Sequence, residues 1–546
     1  MTESGSLRTG GEWVVEALTA EGTRHVFGIP GVHNLAVYDA LFRDGRGIAH
    51  VLARHEQGAA FMADGYARAS GRPGVVVVTT GPGATNVLTP LVESYAGSQP
   101  VLALMSDIPA ALIGADVGAL HEVPNQIDCF RPVSRLAETI RDAADFAPAV
   151  QRAFALFRSS RPGPVALSLP TDLLMARVVS RANDPTGRPP ACDRALIARA
   201  AERLASACRP VLVAGGGVVS AGAHEELRAI ARRLGAPVIS TVMGRGAMPE
   251  SDPLWVSVLS NKYASQPVLE SADVVLAVGC RFAHRSTRGL LLDLHFAPEQ
   301  TLIHLDIDPS VIGKLFPADL AIVGDARDGL EALSAALGPG GPKAQWQQGR
   351  LDALRPARSP RWKPDTGQLI DVLRAALPAD GIVVNDQTGI NYWMEWHFPV
   401  LAPRTFLYPV GSATLGYAVP AAIGAKVAHP DRAVLAVVGD GGFMFSVNEL
   451  ATAVKYRLGV VFLVLNDERY GAIKYLQEAM FAGRWGETEL ANPDFVALAR
   501  AFGAEGRRVD GIEALGPALA EGFAAGRPVV IELRMAVSPP WELRGT

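Results

Sequence analysis

The feature that most constrains the fold is a repeated cadence. A short β-branched or otherwise apolar run leads into a glycine-containing turn, and an alanine-rich stretch of helical character follows. Val75–Val78 before Gly81–Gly83 is one instance, and the pattern returns at 211–217, 273–279, 302–307, 382–385, 433–438 and 460–465. Runs that are apolar at every position, rather than at alternate ones, suit strands buried on both faces, as in parallel sheets covered by helices. The cadence therefore predicts an α/β protein built from mostly parallel sheets flanked by helices.

At 546 residues the chain is too long for one hydrophobic core. Two stretches lack the cadence, 181–193 (RANDPTGRPPACD) and roughly 338–366, and their Pro, Gly and charge content resists regular structure. They divide the chain into three expected domains at 1–180, 192–337 and 365–546. An apolar fraction of 49%, a charged fraction of 19% and a net charge of −4 describe a globular protein with ample core material. Lys and Arg are scattered, which excludes the basic footprint of a nucleic-acid binder. The N-terminal residues lack the charged-then-apolar pattern of a signal peptide, and no segment reaches the roughly 20 apolar residues of a spanning helix, so no membrane partner and a cytoplasmic location are expected. Cys129, Cys192, Cys208 and Cys280 are far apart in sequence and read as free thiols.

The strongest local signal is AVVGDGGFMFSVNELATAVKYRLGVVFLVLNDERYG at 436–471. An apolar strand runs into Gly439-Asp440-Gly441-Gly442, a helix follows, and a second strand ends at Asn466-Asp467. Both acids thus sit at strand carboxyl ends, where ligands bind to open parallel sheets. Glycines there let backbone N–H groups approach diphosphate oxygens. Magnesium commonly takes one or two carboxylates together with phosphate oxygens. A GDG followed about 27 residues later by an Asn-Asp pair resembles the cofactor signature of thiamine diphosphate enzymes. The resemblance implies a Mg2+ ion held by Asp440, Asp467 and the backbone carbonyl of Arg469, with Gly439, Gly441, Gly442, Tyr470 and Gly471 at the diphosphate. The position of Asp467 is often Asn in these enzymes, and Asp is a common alternative.

A second segment, VLARHEQGAAFMADGYARASGRPGVVVVTTGPGATN at 51–86, resembles the pyrimidine-binding signature of the acetolactate synthase-like branch. On that match Glu56 is the activator. The cofactor is an electron sink whose C2 proton must leave, and a carboxyl beside its aminopyrimidine assists that loss. Gly83 and Asn86 continue the motif. GSATLGYAVPAAIGAKVA at 411–428 resembles the family segment whose apolar residue, here Leu415, props the bent cofactor, and NDQTGINYW at 385–393 resembles a diphosphate-contacting turn with Gln387 and Thr388. The resemblance spans nearly the whole chain in the order pyrimidine domain, central Rossmann-like domain, diphosphate domain. It implies a homodimer or homotetramer with active sites between subunits.

Two further motifs bear on the reaction. GIPGVHN places Gly31 and His33, and GALHEVPNQ places His121, on loops that in the family approach the reacting centre. Imidazoles titrate near neutral pH and suit proton relay or carboxylate binding. Together these motifs most resemble the branch containing 5-guanidino-2-oxopentanoate decarboxylase, which implies decarboxylation of a 2-oxo acid through a C2 ylid and an enamine. The alternative is an acetolactate synthase-like carboligase joining two 2-oxo acids. Members of that second group usually bind FAD in the central domain. VGCRFAHRSTRG at 278–289 is similar to the FAD pattern, but Ala283-His284 replace its acidic pair and 251–266 lacks another element, which puts FAD in doubt. Tyr392, Trp393, Glu395, Trp396 and the segment 474–487 are candidate pocket walls, with Glu395 a candidate counterion for a guanidinium.

Overall fold

The computed structural model describes residues 7–43, 47–181, 187–287, 294–339, 341, 344–355 and 357–541. Arg288 and Gly289 of the FAD-like segment, and parts of both stretches expected to be linkers, lie outside these.

Each block folds around a six-stranded sheet. The first contains β1 (His25–Gly28), β2 (Ala49–Leu52), β3 (Gly74–Val78), β4 (Val101–Asp107), β5 (Leu136–Thr139) and β6 (Val165–Pro170), in the order β2-β1-β3-β4-β6-β5. The central sheet contains β7 (Pro210–Ala214), β8 (Val238–Ser240), β9 (Trp255–Val258), β10 (Val274–Val278), β11 (Thr301–Asp306) and β12 (Leu320–Val323), in the order β9-β8-β7-β10-β11-β12. The third contains β13 (Ile382–Asn385), β14 (Phe406–Leu407), β15 (Val434–Gly439), β16 (Val460–Asn466), β17 (Glu505–Val509) and β18 (Val529–Arg534), in the order β14-β13-β15-β16-β18-β17. The two outer sheets thus share one strand order, and the central sheet has that of a dinucleotide-binding fold. All pairings within the three sheets are parallel. β3, β4 and β16 are buried along their whole length, which is why their sequences carry no polar alternation. The α/β class and flanked parallel sheets expected from the cadence are what the chain adopts.

The stretch at 338–366 contains more regular structure than its composition suggested. Gln348–Leu354 forms a helix whose Leu351 is buried in the central core, while the Trp346 indole donates to the Pro210 carbonyl at 2.9 Å. Burial of two apolar side chains in a neighbouring core outweighs weak local propensity.

Within one chain the outer domains are fused by two helices, α1 (Glu56–Ser70) and α2 (Ala418–Ala428), which cross inside a single apolar core. Glycines set the closeness of the crossing. A Cβ on Gly65 would overlap the Ala421 backbone, and one on Gly424 would overlap the Met62 carbonyl. Backbone cannot yield as a side chain tip does. Gly424→Val is therefore expected to destabilise by about 3 kcal/mol or more, the upper end of overpacking costs. An unchanged thermal unfolding midpoint would show that the helices can separate freely. Among the described residues no helix is long and apolar enough to cross a membrane.

Candidate active site

The residues singled out in the sequence gather at the carboxyl ends of the two outer sheets, in two clusters. In the first, the strand order sets β2, β1, β3 and β4 side by side, so the segments leaving them converge. Glu56 opens α1 just after β2, and its Oε2 accepts from the Asn86 Nδ2 at 2.9 Å. A Cβ on Gly83 would lie 3.5 Å from Glu56 Oε1 and 2.8 Å from Thr79, and one on Gly31 would lie 2.6 Å from Thr79. A side chain at either position would strike Thr79, and one at Gly83 would also approach the carboxyl. The start of α1 is held from the third domain, where buried Glu449 accepts the N–H groups of Arg54 at 3.1 Å and His55 at 3.0 Å.

His33 and His121 meet edge to face, with ring centroids 5.5 Å apart. His121 has a left-handed backbone at φ 64°, which lets the loop turn back over Gly81, itself at φ +65°. The Gly81 N–H donates to Gln126 Oε1 at 2.7 Å and ties the two loops together. Burial, and next the neighbouring His121, hold His33 below the usual imidazole range, while the Asp107 carboxylate opposes this. The Nδ1 atoms of both rings are buried without a hydrogen-bond partner among the described residues. Such atoms suit a polar visitor.

The second cluster lies on β15 and β16, where Gly439 pairs with Leu465, so Asp440 and Asp467 follow the ends of neighbouring strands. Asp440 accepts from the Gly441 N–H at 2.9 Å and from Asn492 Nδ2 at 2.7 Å. Burial first, and the charge of Asp440 second, push Asp467 up to about 6. A buried carboxylate, Asp440, and a half-buried one, Asp467, side by side favour a cation between them. Among the described residues no group of three or more His, Cys, Asp or Glu is placed to hold a metal. A cation at this pair therefore needs backbone and phosphate oxygens as well, which is how magnesium is commonly held.

The cradle around the pair has no room for side chains. A Cβ on Gly441 would lie 2.5 Å from the Tyr470 ring, one on Gly442 2.8 Å from Asp386 Oδ1, one on Gly471 2.7 Å from Asp467 Oδ2, and one on Gly439 3.0 Å from Thr388 Oγ1. Thr388 is the N-cap residue of the helix Gly389–His397. Gln387 stands beside it, but its amide donates to the Pro409 carbonyl at 2.9 Å. The Arg469 guanidinium folds onto the Asp467 carbonyl at 2.8 Å. Leu415 is half-buried on the loop 411–417. Glu93 holds that loop from the first domain, accepting the Ser412 N–H and hydroxyl at 2.8 Å each.

Three contributors escaped the sequence reading. Asn492, which also donates to Asn466 Oδ1 at 3.1 Å, comes from a loop with no spacing signal. Glu449 lies inside the GDGG segment but acts on the other domain. Asp386 is fully buried next to Gln387; burial pushes its carboxyl up, and the N–H groups of Ala418, Gln387 and Gly416 oppose this. Glu395 does meet a guanidinium, but it is that of Arg285, at 2.6 and 3.2 Å, with the Ser260 hydroxyl at 2.8 Å.

A cavity of about 550 Å³ opens at the carboxyl edge of the central sheet, where the strand order reverses between β7 and β10. Gly216, Gly217, Gly279, Arg281, Arg404 and Asp306 line it, with Ala283 at its rim.

Three family models match the chain: the thiamine pyrophosphate enzyme N-terminal TPP binding domain over residues 8–129, the central domain over 197–333 and the C-terminal TPP binding domain over 386–533. The chain is 40% identical to the probable 2-ketoarginine decarboxylase AruI of Pseudomonas aeruginosa, over 97% of this chain and 94% of that protein. It is 36% identical to a probable acetolactate synthase large subunit of Methanocaldococcus jannaschii, over 96% and 91% of the two chains. It is 35% identical to the acetolactate synthase isozyme 3 large subunit of Escherichia coli, over 92% and 90%. With its clusters of glycines and acids on two matching sheets, and with all three domain models matched in order, the chain belongs to the thiamine pyrophosphate enzyme family.

Proposed function

We propose that this enzyme decarboxylates a 2-oxo acid using thiamine diphosphate (the same compound as thiamine pyrophosphate) and Mg2+, with 5-guanidino-2-oxopentanoate as its substrate. The observation that carries the reading is the His33–His121 pair beside Glu56 and Asn86, on a chain 40% identical throughout to a probable 2-ketoarginine decarboxylase. Thiamine diphosphate, when bound, would supply the electron sink that decarboxylation of a 2-oxo acid needs. The chain's residues do the rest. Asp440, Asp467 and the Arg469 carbonyl hold the metal, and the glycines at 439, 441, 442 and 471 leave their backbone open to the diphosphate, bordered by Tyr470 and Thr388. Leu415, half-buried on its loop, would pack against the bound cofactor. Glu56, oriented by Asn86, exchanges a proton with the aminopyrimidine. His33 and His121 offer unpartnered ring nitrogens to the substrate carboxylate or to the proton that completes the aldehyde.

Both clusters carry exposed apolar side chains. Val32, Leu35 and Leu120 flank the first, and Phe445, Ile473 and Trp485 flank the second. The helix α3 (Gly471–Met480) has no buried residue at all. Apolar surface of this kind marks an interface. It supports a homo-oligomer in which the Glu56 cluster of one subunit completes the Asp440 cluster of another.

Carboligation is the second reading, supported by acetolactate synthase relatives at 35–36% identity over nine-tenths or more of both chains. Incubation of the loaded enzyme with single 2-oxo acids, with products identified by mass spectrometry, separates the two. 4-Guanidinobutanal from the guanidino acid is expected. Acetolactate from pyruvate, with no turnover of the guanidino acid, would overturn the decarboxylase reading.

A further inference from the structure

Asp386 is a buried carboxylate whose oxygens reach three separate pieces of the second cluster. Oδ1 accepts the Gln387 N–H at 2.9 Å and the Gly416 N–H at 3.2 Å, and Oδ2 accepts the Ala418 N–H at 2.8 Å. Oδ1 also lies over Gly442, 2.8 Å from where a Cβ would stand. The carboxylate cannot drift with its neighbours, because Asn391 Nδ2 donates to the Asp386 carbonyl at 2.9 Å and to the Val437 carbonyl of β15 at 2.8 Å. Among the described residues this carboxylate is compensated by N–H groups of fixed direction, and such a buried acceptor holds them tightly, since losing any one of them leaves it under-solvated.

We infer that Asp386 is a positioning residue that couples the glycine cradle at 441–442 to the loop bearing Leu415, so that a diphosphate settling on the cradle also sets the loop. The inference rests on the cofactor reading for the identity of the diphosphate, and the contacts themselves do not depend on it. Gly416 has φ +78°, a freedom that side-chain anchors must limit; its carbonyl accepts the Ser446 hydroxyl at 2.9 Å, and its N–H is held by Asp386. Of these anchors, and of Glu93 at Ser412, Asp386 is the one that also touches the turn at Gln387 and the cradle at Gly442.

Hydrogen exchange by mass spectrometry on the full-length protein without cofactor tests this. In Asp386→Asn, one acceptor oxygen becomes a donor facing N–H groups, and the peptide covering 411–418 is expected to exchange about tenfold faster. β15 and α2 should keep their protection. In Gly442→Ala the new methyl displaces the same carboxylate from the other side, and the same loop should loosen although the change lies far along the chain. Magnesium diphosphate alone should slow loop exchange in the wild type and not in Asp386→Asn. Unchanged loop exchange in both variants, or equal slowing by magnesium diphosphate in wild type and Asp386→Asn, would overturn the coupling. If Asp386→Asn fails to fold, Gly442→Ala decides alone. Absence of thiamine diphosphate binding to the wild type by calorimetry would instead sink the cofactor reading and leave the exchange result standing.

Discussion

Glu56→Gln is expected to keep the fold and bind thiamine diphosphate with little change, yet to lose turnover by roughly 10²–10⁴-fold, the range supplied by a positioned acid–base group. The substitution preserves the shape of the side chain and leaves an oxygen for the 2.9 Å contact from Asn86. What it removes is the ability to take and return a proton. Because Asn86 and the N–H contacts to Glu449 set the start of α1 independently, the loss should appear in the rate and not in stability. Near-normal steady-state activity in this variant would take Glu56 out of the mechanism.

The second large effect is expected at Asp440, one of the two proposed metal ligands. Asp440→Ala should weaken magnesium-dependent binding of thiamine diphosphate by about a hundredfold or more, the scale of truncating one partner of a buried charge contact. Calorimetry with magnesium present measures it, and an unaltered affinity would count against Asp440 as a ligand. Asn492, which donates to Asp440 at 2.7 Å, would then keep only its 3.1 Å contact to Asn466, so at most a modest loss of stability should accompany the loss of binding. The two variants together test the proposed division of the site between subunits. Mixed Glu56→Gln and Asp440→Ala subunits form hybrids in which one site has an intact Glu56 from one chain and an intact Asp440 from the other. Random assortment into dimers should restore about a quarter of wild-type activity. No recovery after verified subunit exchange would place both halves in one chain.

Much of this was legible along the chain because it is local. A strand that ends in GDGG and a neighbour that ends in Asn-Asp put two acids at one sheet edge wherever the chain folds, since parallel strands present their carboxyl ends together. Glu56 was legible for the same reason, at the junction of β2 and α1. The role of Asp386 was not, because its partners at 416, 418 and 442 lie 30 or more residues away and come together only through packing. Asn492 and Glu449 are of the same kind. Glu395 shows the opposite case: its charge was visible and its partner was not, since Arg285 comes from another domain.

Strand burial, glycine turns and short motifs depend on neighbours a few residues apart, so the α/β class, the family and the two acidic clusters are legible along the chain. The groups that stand behind those clusters emerge only from packing: Gln387 turns to Pro409, Glu449 holds the start of Glu56's helix, and His33 faces His121 across a loop reversed at φ 64°. The reason is that long-range partners are chosen by sheet order and by the close glycine crossing of α1 and α2, which no stretch of the chain encodes alone.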